Sequence, residues 1–435
     1  MPAAAAGPDR EGEPCPDLTP GGDPGARPLA FEAMSPSPDR RRAVAAVIGC
    51  AAFFLIGWSA LLVPSLVRSI EAQFGQTDAA IGTYFLINSL ASATSSVGGG
   101  LLTERVGRRV VLSLAATLLG LGLLMIGTVG TWPLFLLAAL PLGLGFGAID
   151  GGVNGLVLDL YPESRGRALN LAHICFSLGA LGSPLVVGRA LEAGIAWEVP
   201  IIATALAAIA IAVCLAVGPL PSGRHARHVD GGVRTATVPR GIGFAWVLVG
   251  LAVAIGCYVA SEIGVSNWLV RFLDSASIGL ATAALALYWG ALSLGRLASA
   301  AWSDRFDHAR LAAVSATVSG FALVAAVAVP SVPLSILLFG VVGFAFGPIY
   351  PLIMAVAGER YPTRSAAVSG LLAGCAVIGG VLYPPLMGFM SVTVGLGPAM
   401  TGAGILALAA GIALWLVSRT QSSERAEALE AATSA

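Results

Sequence analysis

Between residues 43 and 418 the sequence carries twelve long stretches built almost wholly from Ala, Leu, Val, Ile, Gly and Phe, the first at 43–67 and the last at 399–418. Crossing a bilayer's hydrocarbon core takes about 20 consecutive apolar residues. Inside lipid the backbone must satisfy its own polar groups, and stretches of this length do so as helices. The chain is 56% hydrophobic and only 11% charged, against roughly 25% charged in an ordinary soluble domain. These features predict an all-α membrane protein with twelve transmembrane helices.

Arginine sets the expected orientation. The chain has no Lys, so all 24 positive residues are Arg. Twenty-one fall in the termini or on the side of the even-numbered loops, while Arg68, Arg189 and Arg271 lie at the opposite helix ends. Positive residues favour the cytoplasmic side, so both termini and the central linker are expected there, in a multi-pass protein of the cell membrane. Residues 1–42 read as a disordered cytoplasmic tail, rich in Pro, Gly and acids, with no removable signal peptide. The six Cys are scattered, with no metal or disulfide spacing. A lipid bilayer and a small-molecule substrate are the expected partners, with no nucleic acid, and the protein is expected to be a monomer.

The sequence repeats at an offset of 200 residues. Gly143, Phe146, Gly147 and Ile149 match Gly343, Phe346, Gly347 and Ile349; Tyr161-Pro162 matches Tyr361-Pro362. Leu171, Cys175, Gly179, Pro184 and Gly188 match Leu371, Cys375, Gly379, Pro384 and Gly388. Six helices in each copy, in the same orientation, predict two related bundles at 43–219 and 241–418. A cytoplasmic linker at 220–240 joins them, and 419–435 forms a second cytoplasmic tail. Parallel repeats of this kind place a substrate site between the halves, near the midplane.

The loop after the second helix reads "GLLTERVGRRVVL" (100–112). It resembles the signature of the major facilitator superfamily, with Glu104 where that signature has Asp. Its glycines suit the place: Gly100 is expected to let helices approach and Gly107 to allow a tight turn. Glu104, Arg105, Arg108 and Arg109 are expected to form a charged gating latch at the membrane surface. The second copy, "AAWSDRFDHAR", keeps Asp304 and Arg305 but not the glycines. Three further stretches resemble the fucose–galactose–glucose symporter family and its bacterial relatives: "GAIDGGVN" (147–154), "RALNLAHICFSLGALGSP" (167–184) and "SEIGVSNWL" (261–269) with "YWGALSLGRL" (288–297). The chain departs from those symporters at Pro64, about where they carry an acid in the first helix. The resemblance implies alternating access between two six-helix halves, with a proton as coupling ion and no other cofactor.

Polar residues inside the spans are the candidates for the work. Asp150 is the first charge after Arg109 and sits in "GLGFGAIDGGVNGLVLDLYP" (143–162). A central Asp costs roughly 2.5–3.5 kcal/mol on insertion scales, so it should face protein or a water-filled cavity. Asp150 and Asn154, four apart, form a polar strip beside glycines at 143, 147, 151 and 155, which suit close helix packing. The repeat partner of Asp150 is Tyr350, so the halves share a scaffold but not this chemistry. Glu262 is the second buried acid, with Asn267 and Trp268 a turn later as an acid-plus-ring arrangement for a polar organic solute. His173, with Asn170 three residues before it, adds a further polar face. Arg296 is expected near the cytoplasmic end of its helix, snorkelling there or pairing with Asp150.

No Walker sequence, paired metal ligands or nucleophile constellation points to an enzyme. The leading expectation is a secondary active transporter of a small polar solute, a sugar or related organic molecule, with proton coupling. The alternative is a proton-driven exporter of drugs or metabolites. "GALGSPLVVG" (179–188) partly resembles an antiporter signature, although Ser183 and Val187 replace two of its glycines.

Overall fold

A computed structural model describes residues 38–221 and 242–434. The tail through residue 37 and the linker from 222 to 241 lie outside the described residues. Among the described residues, twelve helical spans are long and apolar enough to cross a membrane, from Asp39–Phe74 to Leu396–Thr420. The spans in the first half are α1 and α2 (Pro38–Ala60, Leu62–Phe74), α3 (Asp78–Val106), α4 (Arg108–Thr128), α5 (Trp132–Leu160), α6 (Arg165–Glu192) and α7 (Glu198–Val217). The second half has α8 (Ile242–Phe272), α9 (Ile278–Trp302), α10 (His308–Ala328), α11 and α12 (Val332–Phe346, Ile349–Arg360), α13 (Ser365–Val394) and α14 (Leu396–Ser434). The final helix continues beyond its span through most of 419–435.

Proline explains both interrupted spans. Pro64 has no N–H to give the carbonyl of Ala60, and the first span breaks at Leu61, between α1 and α2. Pro348 and Pro351 do the same to the carbonyls of Phe344 and Gly347, and the tenth span breaks between α11 and α12. Irregular backbone at membrane depth is tolerated where it borders protein or a cavity. Tyr350 stands in the first turn of α12, at the second of these breaks.

Each half packs on its own helices. In the first, α3 lies against α5, α4 against α7, and α1 against α6; in the second, α8 lies against α13 and α14, and α10 against α14. The glycine stripe of α5 works as expected at three of its four positions. A Cβ on Gly143, Gly147 or Gly151 would come within 2.3, 2.0 and 2.9 Å of the Asn88, Ser92 and Ser96 carbonyl oxygens of α3. Gly155 instead faces the Arg108 guanidinium, 3.6 Å from where its Cβ would be.

The halves meet through α3 on α13, α6 on α9, and α2 on α8. We call the side on which α1 starts the terminal face and the opposite side the far face. Among the described residues, the close approaches that glycines make between halves run from the far face to mid-depth. A Cβ on Gly82 would lie 2.8 Å from the Pro385 carbonyl oxygen, and one on Gly188 would lie 1.9 Å from Thr282 Oγ1. Toward the terminal face, added Cβ atoms at Gly98, Gly370 and Gly374 meet nothing within 4 Å. The bundle is therefore closed at the far face and parted at the terminal face.

Candidate functional site

A polar cluster spans the two halves at mid-depth. Asp150 is half-buried on α5. Asn154 Nδ2 donates to the Asp150 backbone oxygen at 3.0 Å and reaches its Oδ1 at 3.5 Å, so the expected strip is present. His173 on α6 interacts electrostatically with Asp150. Its Nδ1 lies 2.9 Å from the Leu169 carbonyl oxygen, which can only accept, so Nδ1 donates there. The His173 ring also packs on Phe53, with centroids 5.2 Å apart. The Asn170 side chain lies outside the described residues.

The second half contributes the other side of the cluster. Glu262 on α8 is buried, and its Oε1 lies 3.7 Å from Arg296 Nη2 of α9. Ser266 and the Tyr288 hydroxyl both donate to the Glu262 backbone oxygen, at 2.9 and 3.2 Å. The Tyr258 hydroxyl, one turn before Glu262, interacts electrostatically with both Glu262 and Arg296. Tyr350 interacts electrostatically with Asp150, Glu262 and Arg296, so it connects the polar groups of the two halves.

Two expectations change here. Arg296 pairs with Glu262 rather than with Asp150, and it does not snorkel to the interface. The reason is which way α9 faces: Arg296 is on the side turned to α8, where a buried acid offsets the charge. Trp268 is not a cavity residue. It is fully buried, donates from Nε1 to the Pro384 carbonyl oxygen at 2.8 Å, and meets Phe85 of the other half edge-on at 5.6 Å. It seals the interface between halves. Asn267, next to it, is half-buried.

The signature loop is built differently from a four-residue latch. Gly107 takes φ +94°, a conformation open chiefly to glycine, and turns α3 into α4 as expected. Arg108 is buried and pairs with Asp159 at the end of α5, at 2.7 Å, while Arg109 donates to the Gly218 carbonyl oxygen at 2.8 Å. Glu104 and Arg105 are exposed and make no ion pair with another described residue. The two sides of the Gly107 turn separate them from Arg108. Gly100 allows no close approach, since a Cβ there would meet nothing within 4 Å; Gly99 is the glycine against α5, 3.3 Å from Ala148 Cβ. Arg305 is exposed, and the Asp304 side chain lies outside the described residues.

The sequence reading missed a set of contacts that closes the far face. Arg68 of α2 donates to the Val270 and Ala276 carbonyl oxygens at 2.8 and 3.0 Å and also to that of Leu273. A guanidinium there satisfies carbonyls left open at the C-terminal end of α8 and complements its dipole. In return, Arg271 of α8 lies 2.9 Å from both Glu71 Oε2 and Asp78 Oδ1 of the first half, and Ser391 donates to Asp78. Asp78 sits in the first turn of α3, where helix polarity favours an acid. A recess of about 610 Å³ opens beside these residues, apart from the polar cluster. The available signal was that Arg68 and Arg271, like Arg189, lie opposite the other 21 arginines, and that these two stand near the ends of the first span of each half.

Known proteins match this architecture along nearly the whole chain. The family model for the Major Facilitator Superfamily fits residues 47–287 and 241–434. A gentisate transporter of Corynebacterium glutamicum is 24% identical over 88% of this chain and 88% of its own length. A glucose/galactose transporter of Brucella abortus is 25% identical over 79% of this chain and 87% of its own. Among solved structures, a bacterial homologue of the human lysosomal transporter Spinster, in an inward-facing conformation, superposes with TM-score 0.70 at 17% identity, covering 89% of this chain and 98% of that one. A D-xylose–proton symporter also superposes with TM-score 0.70, at 16% identity, over 86% of this chain and 97% of that one. The family and these relatives are transporters of small solutes and not enzymes. The chain belongs to the Major Facilitator Superfamily, as a multi-pass membrane transporter of twelve helices.

Proposed function

We propose that this transporter moves a small polar organic solute, a sugar or a related ring compound, by alternating access coupled to a proton. It works in the cell membrane with its termini cytoplasmic, so the form described here is open to the cytoplasm. The observation that carries the reading is the asymmetry of the two buried acids. Glu262 has Arg296 beside it, whereas the groups beside Asp150 among the described residues are Asn154, the His173 ring and Tyr350, with no arginine. A mid-membrane carboxylate with no fixed cation is costly when the cavity closes around it. Protonation removes that cost, so closure around Asp150 favours the proton-loaded form. Arg296 holds Glu262 as a constant charge pair, which leaves Asp150 as the group whose charge changes through the cycle. The named substrates of the relatives, glucose, galactose, xylose and gentisate, support a single-ring solute.

Uptake into proteoliposomes tests this, using labelled hexoses, hexuronates and hydroxybenzoates with an imposed pH gradient. Accumulation driven by an inward proton gradient and abolished by a protonophore is the expected result. Solute movement indifferent to the gradient would remove the coupling. Accumulation driven by an outward proton gradient would make the chain an exporter.

A further inference from the structure

Arg296 is the cation of the polar cluster between the halves. Its guanidinium has five N–H donors in a planar fork, and its ion-pair partner, Glu262 Oε1, lies 3.7 Å from Nη2, beyond hydrogen-bond reach. The side chain is still 34% exposed, so it is not enclosed by protein. The Tyr258 hydroxyl is fully buried and interacts with both Glu262 and Arg296. Trp289 Nε1 is buried with no hydrogen-bond partner among the described residues. It lies seven residues before Arg296, two turns along the same face of α9.

Rings run beside these donors. Tyr258 packs edge-on against Phe346, Phe346 against Tyr288, and Tyr288 against Trp289, with centroids 5.5 to 6.4 Å apart. Phe176 of the other half lies 6.1 Å from Trp289 and extends the series across the interface. A neutral sugar presents donors and acceptors in nearly equal number around its ring. This side of the cavity instead has a partly exposed guanidinium, with the Trp289 indole and the Phe176 ring next to it. Such a surface fits a solute with acceptors concentrated at one end and an apolar face at the other. A planar guanidinium fork matches a carboxylate with two parallel hydrogen bonds.

We propose that the solute is a carboxylate carried on a six-membered ring, with its carboxylate on Arg296 and its ring against Trp289 and Phe176. This rests on the reading of the inter-half cavity as the transport site. Glu262 orients the fork while the cavity is empty and repels the incoming carboxylate. Its removal therefore strengthens binding, opposite to the effect expected of a residue that contacts the solute favourably.

The test is equilibrium binding to the purified full chain by tryptophan fluorescence, with 4-hydroxybenzoate, glucuronate and glucose as probes. At least one carboxylate is expected to bind about tenfold or more tightly than glucose, which corresponds to one charge-assisted hydrogen bond. 4-Hydroxybenzoate ahead of glucuronate assigns a planar aromatic ring, and the reverse order assigns a sugar acid. Arg296→Gln should weaken the carboxylate at least about tenfold while leaving glucose unchanged, and Glu262→Gln should tighten the carboxylate. Should Arg296→Gln fail to fold, the sign of the Glu262→Gln effect decides. Glucose binding as tightly as both carboxylates, neither carboxylate binding, or Glu262→Gln weakening them would overturn the assignment. Proton-driven glucose uptake with no carboxylate binding would overturn it and leave the transporter reading intact.

Discussion

Gly82→Ala isolates the far-face closure from every other feature of the protein. The new Cβ would lie 2.8 Å from the Pro385 carbonyl oxygen and 3.4 Å from Gly388 Cα, both in the other half. Ordinary van der Waals contact needs about 3.4 Å or more, so the α3–α13 interface must open by roughly half an ångström or bear the clash. Overpacking of this size costs about 1–3 kcal/mol. Only the far-closed state bears that cost, because the two residues separate when the face opens. The ratio of far-closed to far-open molecules should therefore fall by about 5- to 150-fold. Spin labels at Thr77 and Val394, on the far ends of α3 and α13, report the distance by pulsed electron resonance. The variant should gain a longer-distance population. Gly98→Ala, on the same helix with nothing within 4 Å of its Cβ, is the control and should match the parent. If Gly82→Ala shows the parent's distance distribution, the interface is not the closed gate described here.

Arg108→Ala should lower thermal stability by about 1–2 kcal/mol, through loss of its contact with half-exposed Asp159, and should slow transport without changing solute affinity. Arg105→Ala should leave the melting temperature unchanged; equal melting losses would restore the four-residue latch. Trp268→Phe should cost about 1 kcal/mol of stability from its lost hydrogen bond to Pro384, with solute affinity unaltered. A selective loss of affinity would return Trp268 to the solute site. Reporter fusions after residues 42, 230 and 420 should all read cytoplasmic, and an external reading at 230 would break the two-half orientation.

Long apolar stretches and the 200-residue repeat made the spans and the two halves legible, because lipid leaves the backbone little choice. The Asp150–Asn154 strip was legible for the same reason: a charge in an apolar span must face inward. What sequence did not convey was the rotation of one helix against another. Arg296 sits six residues from the end of α9, a place compatible with snorkelling, and only the facing of α9 against α8 brings it to Glu262. Trp268 follows Glu262 by six residues and turns instead into the α13 interface. The far-face contacts join Arg68 to backbone carbonyls about 200 residues away, and no local pattern marks a carbonyl as an acceptor. The odd placement of Arg68 and Arg271 was nevertheless visible, since they, with Arg189, opposed the charge rule that the other 21 arginines obey.

The central claim is that Asp150 carries the coupling proton. Its most direct test uses proteoliposomes loaded with a pH-sensitive dye, with an inward gradient of whichever hexose, hexuronate or hydroxybenzoate the parent transports. In the parent, solute entry should acidify the lumen. Asp150→Asn keeps the shape and the hydrogen bond to Asn154 but cannot release a proton. It should still exchange labelled for unlabelled solute while producing no acidification. Acidification by Asp150→Asn at the parental rate would contradict the account.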